Sequence, residues 1–144
     1  MEKSDTKELL RECNAGIKMG VDAIRQVLPT VRSGALRQTL QESKNVHSQL
    51  GSEAHRLLNV RGVSGKEPHP MARSMSKIKT GVKLTLSPTD RSVAELITDG
   101  CHMGVKSLCH YKNRHAGASP EAVAIADRLI QEETALAERM RNYL

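Results

Sequence analysis

Apolar residues recur every three or four positions along most of this chain, and the pattern breaks at its five prolines, Pro29, Pro68, Pro70, Pro88 and Pro120. That spacing predicts amphipathic helices, because 3.6 residues per turn returns such positions to one face. The first helix is predicted over about 5–28, with Leu9, Cys13, Ile17, Gly20, Ile24 and Leu28 on its apolar face. Asp5 and Glu8 stand in capping-box spacing at its start. The second is predicted over about 35–60, with Leu36, Leu40, His47, Leu50, Ala54 and Leu58 in its stripe, and the stretch from Gly62 to Pro70 ends it.

A shorter helix is predicted over about 71–86, with Met71, Met75, Ile78, Val82 and Leu86 at helical spacing and no acidic residue. A fourth covers about 90–114, with Val93, Ile97, Gly100, Gly104, Leu108 and Tyr111 facing inward, and the last covers about 120–143. Ser119 is its expected cap, with Pro120 at the first position and Glu121 in the first turn.

The four long helices are each about 36 Å in length. Short turns make the first two an antiparallel hairpin and the last two another, and the middle connection is long enough to run the length of a bundle. The expected fold is therefore one all-α domain over 1–144, a four-helix bundle with one long crossover that carries the short fifth helix. An up-and-down bundle with that helix packed at its end is the alternative.

An internal repeat supports the pairing of hairpins. Gly16, Met19, Gly20 and Val21 match Gly100, Met103, Gly104 and Val105 in register, and Leu40-Gln-Glu resembles Ile130-Gln-Glu. Glycines four apart strip side chains from one stripe, so the first and fourth helices are expected to approach closely near Gly16, Gly20, Gly100 and Gly104.

Composition narrows the chemistry. With 144 residues, 38% apolar and 26% charged, the chain is globular in character, and its formal charge is +6. It has no Trp or Phe and two Tyr, which argues against RNA-binding modules that stack bases on aromatic rings. Three cysteines, no export signal and no long apolar run read as a cytoplasmic protein with reduced thiols. No phosphate-binding loop, Gly-x-Ser-x-Gly elbow, Cys-x-x-Cys pair or His-Glu-x-x-His is present, so no catalytic residues are assigned.

The Met-Gly-x-Asp-Ala-Ile run from Met19 to Ile24, the Ala-Glu-Leu-Ile run from Ala94 to Ile97 with Gly100-x-x-Met-Gly104 after it, and the closing Glu132-Glu133 resemble small ferritin-like bundle proteins of bacteria. The resemblance covers nearly the whole chain, and its motifs are packing motifs that imply a fold and no activity. Metal-binding members of that superfamily carry an inward Glu on two helices and an inward Glu-x-x-His on the other two. Here Glu42 is followed three residues on by Asn45, and Glu132 and Glu133 by Ala135 and Leu136. Asp99 and His102 have the spacing but project outward, and no acid falls in the first helix's inward stripe. A di-iron centre is therefore not expected.

Projection at about 100° per residue leaves His47 and Glu133 as inward polar groups near mid-helix, with Ser43 one turn before His47 and Cys13 and Cys101 on inward or flanking positions. Two readings stay open. In one, His47 and Glu133 form a satisfied pair that sets helix register. In the other, His47, Glu133, Ser43 and a thiol from Cys13 or Cys101 form a degenerate site for zinc, iron or a small ligand. His102 and Cys109, seven residues apart on the outward side of the fourth helix, read as solvated or interface residues.

The short basic helix carries Arg73, Lys77, Lys79 and Lys83. Such a helix can contact nucleic-acid phosphates or an anionic membrane, but its apolar positions are needed to cover the bundle, which favours a solvated basic face. The expected role is an interaction or structural module, assembled as a homodimer with a further protein partner unspecified, without cofactor.

Overall fold

The structure is a computed structural model that describes residues 2–62 and 88–144. Its described residues form four long helices, α1 (Glu2–Val27), α2 (Gly34–Val60), α3 (Asp90–Arg114) and α4 (Pro120–Met140), and no strand. Short 3-10 turns follow α1 at Leu28–Thr30 and α4 at Arg141–Tyr143. The expected helix over 71–86, with Arg73, Lys77, Lys79 and Lys83, lies outside the described residues.

Local chemistry sets the boundaries. Pro29 lacks an N–H, so α1 gives way to a tighter turn in which the Thr30 hydroxyl donates to the Val27 carbonyl at 2.7 Å. Ser33 and Ser119 each accept a backbone N–H three residues on, from Leu36 and Ala122, and Thr89 and Ser92 form a reciprocal capping box. Gly62, at φ 68°, supplies the left-handed residue after α2.

The start of α1 corrects the expected capping box. The helix begins at Glu2, three residues before Asp5, so Asp5 lies inside it and its carboxylate serves another element. It accepts from the Gly117 N–H at 3.0 Å and faces the His115 ring at 3.3 Å, while the neighbouring Thr6 hydroxyl oxygen accepts from the Ser119 N–H at 2.8 Å. These bonds tie the start of α1 to the turn between α3 and α4. At the opposite end, Asp90 accepts from the backbone N–H groups of Arg32 and Ser33 at 2.8 and 2.9 Å, which fastens the start of α3 to the turn between α1 and α2. The last helix also ends earlier than expected, since regular α geometry stops at Met140 and the final turn tightens to 3-10.

These end-to-end bonds define the topology. α1 and α4 start at one end and α2 and α3 at the other, so Val60 and Asp90 lie at opposite ends of the bundle. The helices pack in the cyclic order α1, α2, α4, α3, every neighbouring pair is antiparallel, and α1 and α4 also touch across the middle.

Two apolar clusters fill the interior. One gathers Leu9, Leu10, Cys13, Ile17, Leu50, Leu58, Leu108, Ile125 and Leu129 towards the α3–α4 turn. The other gathers Ile24, Val27, Leu36, Leu40, Val93, Ile97, Cys101, Leu136 and Met140 towards the α1–α2 turn. With no Phe or Trp to bridge the bundle, Leu and Ile from all four helices do the packing. Between the clusters lies a polar layer of Ser43, His47 and Glu133.

Candidate functional site

His47 comes from the middle of α2, where Leu40 and Leu50 hold the same face in the core, and Glu133 comes from the middle of α4 between Leu129 and Leu136. The two side chains meet, with His47 Nε2 2.6 Å from Glu133 Oε1. On the other side of the ring, Nδ1 lies 2.8 Å from the Ser43 carbonyl oxygen and 3.4 Å from the Ser43 hydroxyl.

A carbonyl oxygen only accepts, so Nδ1 carries a proton and donates to it. At Nε2 a second proton sits between the ring and an ionised carboxylate. Burial works against a charged imidazole, but the hydrogen bond and charge of Glu133, the Ser43 carbonyl and the nearby charge of Glu132 outweigh it, and His47 is held above its ordinary value of 6.5. The contact with Glu133 thus favours the protonated ring. The His47 side chain is 1% exposed, while Glu133 keeps 11% of its side-chain surface accessible.

The cysteines separate. Cys101 on α3 lies near Glu133, and burial followed by the Glu133 charge pushes its thiol far above the ordinary range. Cys13 belongs to the apolar cluster near the other end, where burial, Glu12 and Asp127 raise it to about 12. Both are neutral thiols at physiological pH. Cys109 is exposed, as is His102.

The four repeat glycines line a cavity of about 60 Å³ between α1 and α3, whose inner surface includes His47, Cys101 and Glu133. The same cavity takes in Met19 and Met103, so both halves of the internal repeat face it. What approaches Gly20 and Gly104 most closely is the polar pair. A Cβ at Gly20 would stand 2.9 Å from His47 Cδ2 and 3.0 Å from Nε2, and one at Gly104 would stand 3.4 Å from Glu133 Oε2. Side chains reaching in from α2 and α4 occupy the room that Gly20 and Gly104 leave.

One polar group contradicts the expected acid-free stripe of α1. Glu12 is 9% exposed and lies near Tyr111, whose hydroxyl burial and the Glu12 charge hold above its ordinary value. It follows Leu9 by three residues, the spacing that returns a side chain to the flank of the same face. Thr6 and Asn14 are buried on α1 as well.

Among the described residues no group of three or more His, Cys, Asp or Glu side chains is placed to hold a metal ion. The geometry gives a reason at His47, since both ring nitrogens are committed to oxygen acceptors and neither offers a lone pair. Nor is any described helix long and apolar enough to cross a membrane.

No family model matches the chain, and no curated protein matches it. Among solved structures it is similar to the crystal structure of a DUF305 fragment from Deinococcus radiodurans, with a TM-score of 0.77 and 12% identity, over 96% of this chain and 93% of that one. At that identity the likeness concerns the fold, an all-helical bundle.

Proposed function

We propose that this chain is a non-catalytic ferritin-like bundle, a structural or binding module in which an ion pair stands where metal-binding members of that architecture carry their ligands. The connectivity supports the superfamily reading, because a parallel α2 and α3 require one long crossover between two antiparallel hairpins.

The observation that carries the proposal is the closed hydrogen bonding of His47, with Nδ1 on the Ser43 carbonyl and Nε2 on Glu133. A di-metal bundle brings an inward ligand from each helix. In this bundle the corresponding layer holds His47 with Lys44 in place of the glutamate three residues before it, Glu133 with Leu136 in place of the histidine three residues after it, and Gly20 and Gly104 facing the pair from α1 and α3. Of the six ligands two remain, His47 and Glu133, and they face each other.

Elemental analysis of protein purified without chelator or affinity tag tests the reading. A folded chain without stoichiometric metal, whose melting temperature is unmoved by added zinc or ferrous iron, is expected. Close to one metal per chain, or a rise in melting temperature on adding either ion, overturns it. A cytoplasmic homodimer is part of the same proposal, and sedimentation equilibrium reads the assembly state.

A further inference from the structure

We propose that the cavity between α1 and α3 is a binding site for a small protonated amine on a short apolar chain, whose ammonium group is held by Glu133. The inference rests on the reading of His47 and Glu133 as an ion pair.

Four features of the site point the same way. Its walls are apolar or soft, with Met19, Ala23, Ile24, Leu96 and Met103 contributing carbon and sulfur. Its ionic groups are His47 and Glu133, and they are not equally available. His47 is sealed, with both N–H groups already donating, whereas the Glu133 side chain keeps 11% of its surface and spends Oε1 on the histidine. Its Oε2 points at Gly104, where the absent side chain leaves the carboxylate uncovered from α3. A carboxylate oxygen accepts and never donates, so the group that fits there carries N–H or O–H.

Charge selects among donors. Glu132 lies close enough to raise both His47 and Cys101, and among the described residues no basic side chain other than His47 lines the cavity. A charge-assisted bond to the Glu133 carboxylate favours a cationic donor over a neutral alcohol, and an anion finds no donor free to receive it at His47. Size limits the tail. A space of about 60 Å³ holds about four water-sized spheres, enough for a head and three carbons. Partial exposure of Gly16, Met19, Gly20, Gly100 and Gly104 provides the way in between the helices.

The test titrates the whole chain with n-propylammonium chloride, n-propanol and sodium propionate, following the methyl resonances of Met19 and Met103 and the ring of His47. Saturable methionine shifts with the ammonium at about millimolar concentration, at least tenfold weaker with propanol and absent with propionate, are expected. Glu133→Gln should weaken the ammonium by at least tenfold. Gly104→Ala, whose methyl covers Oε2 without a clash, should do so in a chain that melts no lower than the original. Shifts that never saturate, or that are equal for all three probes, overturn the site and leave a water-filled cavity. A neutral His47 ring in the ligand-free chain identifies failure of the ion-pair reading itself, separately from any titration.

Discussion

His47 shows how far one buried histidine depends on its surroundings. Removing it strands a carboxylate in a layer between two apolar clusters, and breaking a buried pair from one side costs far more than the pair contributes. His47→Ala should therefore lower stability by about 3 kcal/mol, whereas replacing His47 and Glu133 together by leucine should cost much less, or even stabilise. Chemical denaturation of the two variants checks this, and an equal loss in the single and double variants would contradict it.

The pH dependence follows from the same residue. Because His47 is raised above 6.5 in the folded chain, the native state binds a proton that the unfolded state has released. The stabilisation is fully present below about pH 6.5 and is lost as pH rises through the folded value. Cys13, raised from 9.0 to about 12, adds a second decline across that interval, and Cys101 acts in the same direction. Melting temperature should fall in two stages on the alkaline side, and the His47→Leu, Glu133→Leu double variant should lose the first stage alone.

Both partners of the pair are legible in the sequence, since a helical projection marks them as polar residues inside apolar stripes. Glu12 is harder to see. It sits beside the stripe of α1, and its burial shows only in the folded bundle, near Tyr111 from a helix about a hundred residues away.

At the scale of the helices, the glycines make opposite predictions from one residue type. Alanine in a helix interior gains up to about 1 kcal/mol over glycine. At Gly104 that gain should be realised, because the added methyl meets Glu133 Oε2 at an ordinary 3.4 Å. At Gly20 it should be overturned, because the methyl would stand 2.9 Å from a ring that hydrogen bonds hold on both sides, and a net loss of about 1–3 kcal/mol is expected. Thermal melting of Gly20→Ala and Gly104→Ala reads both, and the same sign in both variants would contradict the assignment of Gly20 to the His47 ring. The sequence spacing predicts that α1 and α3 approach each other closely at these glycines, whereas the groups nearest Gly20 and Gly104 are His47 and Glu133. It does not say that the approaching group comes from α2 or α4, since that depends on the cyclic order of the helices. The same limit applies at Asp5, whose spacing to Glu8 suits a local cap while its partners, His115 and Gly117, come from the far hairpin.

Across the whole molecule, the internal repeat and the topology agree. An approximate two-fold operation that exchanges α1 with α3 and α2 with α4 reverses the direction of each, as the antiparallel neighbours require. It places Gly16, Met19 and Gly20 opposite Gly100, Met103 and Gly104 around one cavity. The spans and pairing of the four long helices are readable from proline positions and apolar period. The end-to-end fastening by Asp5, Thr6 and Asp90 is not, because each bond joins segments remote in sequence and leaves no periodic trace. In the register that aligns Leu40-Gln-Glu with Ile130-Gln-Glu, Glu133 matches Ser43 and His47 matches Ala137, so the polar layer does not follow the repeat.

The most direct measurement is a nitrogen-15 spectrum of the His47 ring at neutral pH, recorded before and after adding zinc and ferrous iron. Both ring nitrogens should appear as N–H groups and stay unchanged by either metal. A neutral ring, or one nitrogen shifted or broadened by metal, would mean that His47 keeps a lone pair for a ligand and that the interior pair is a metal site after all.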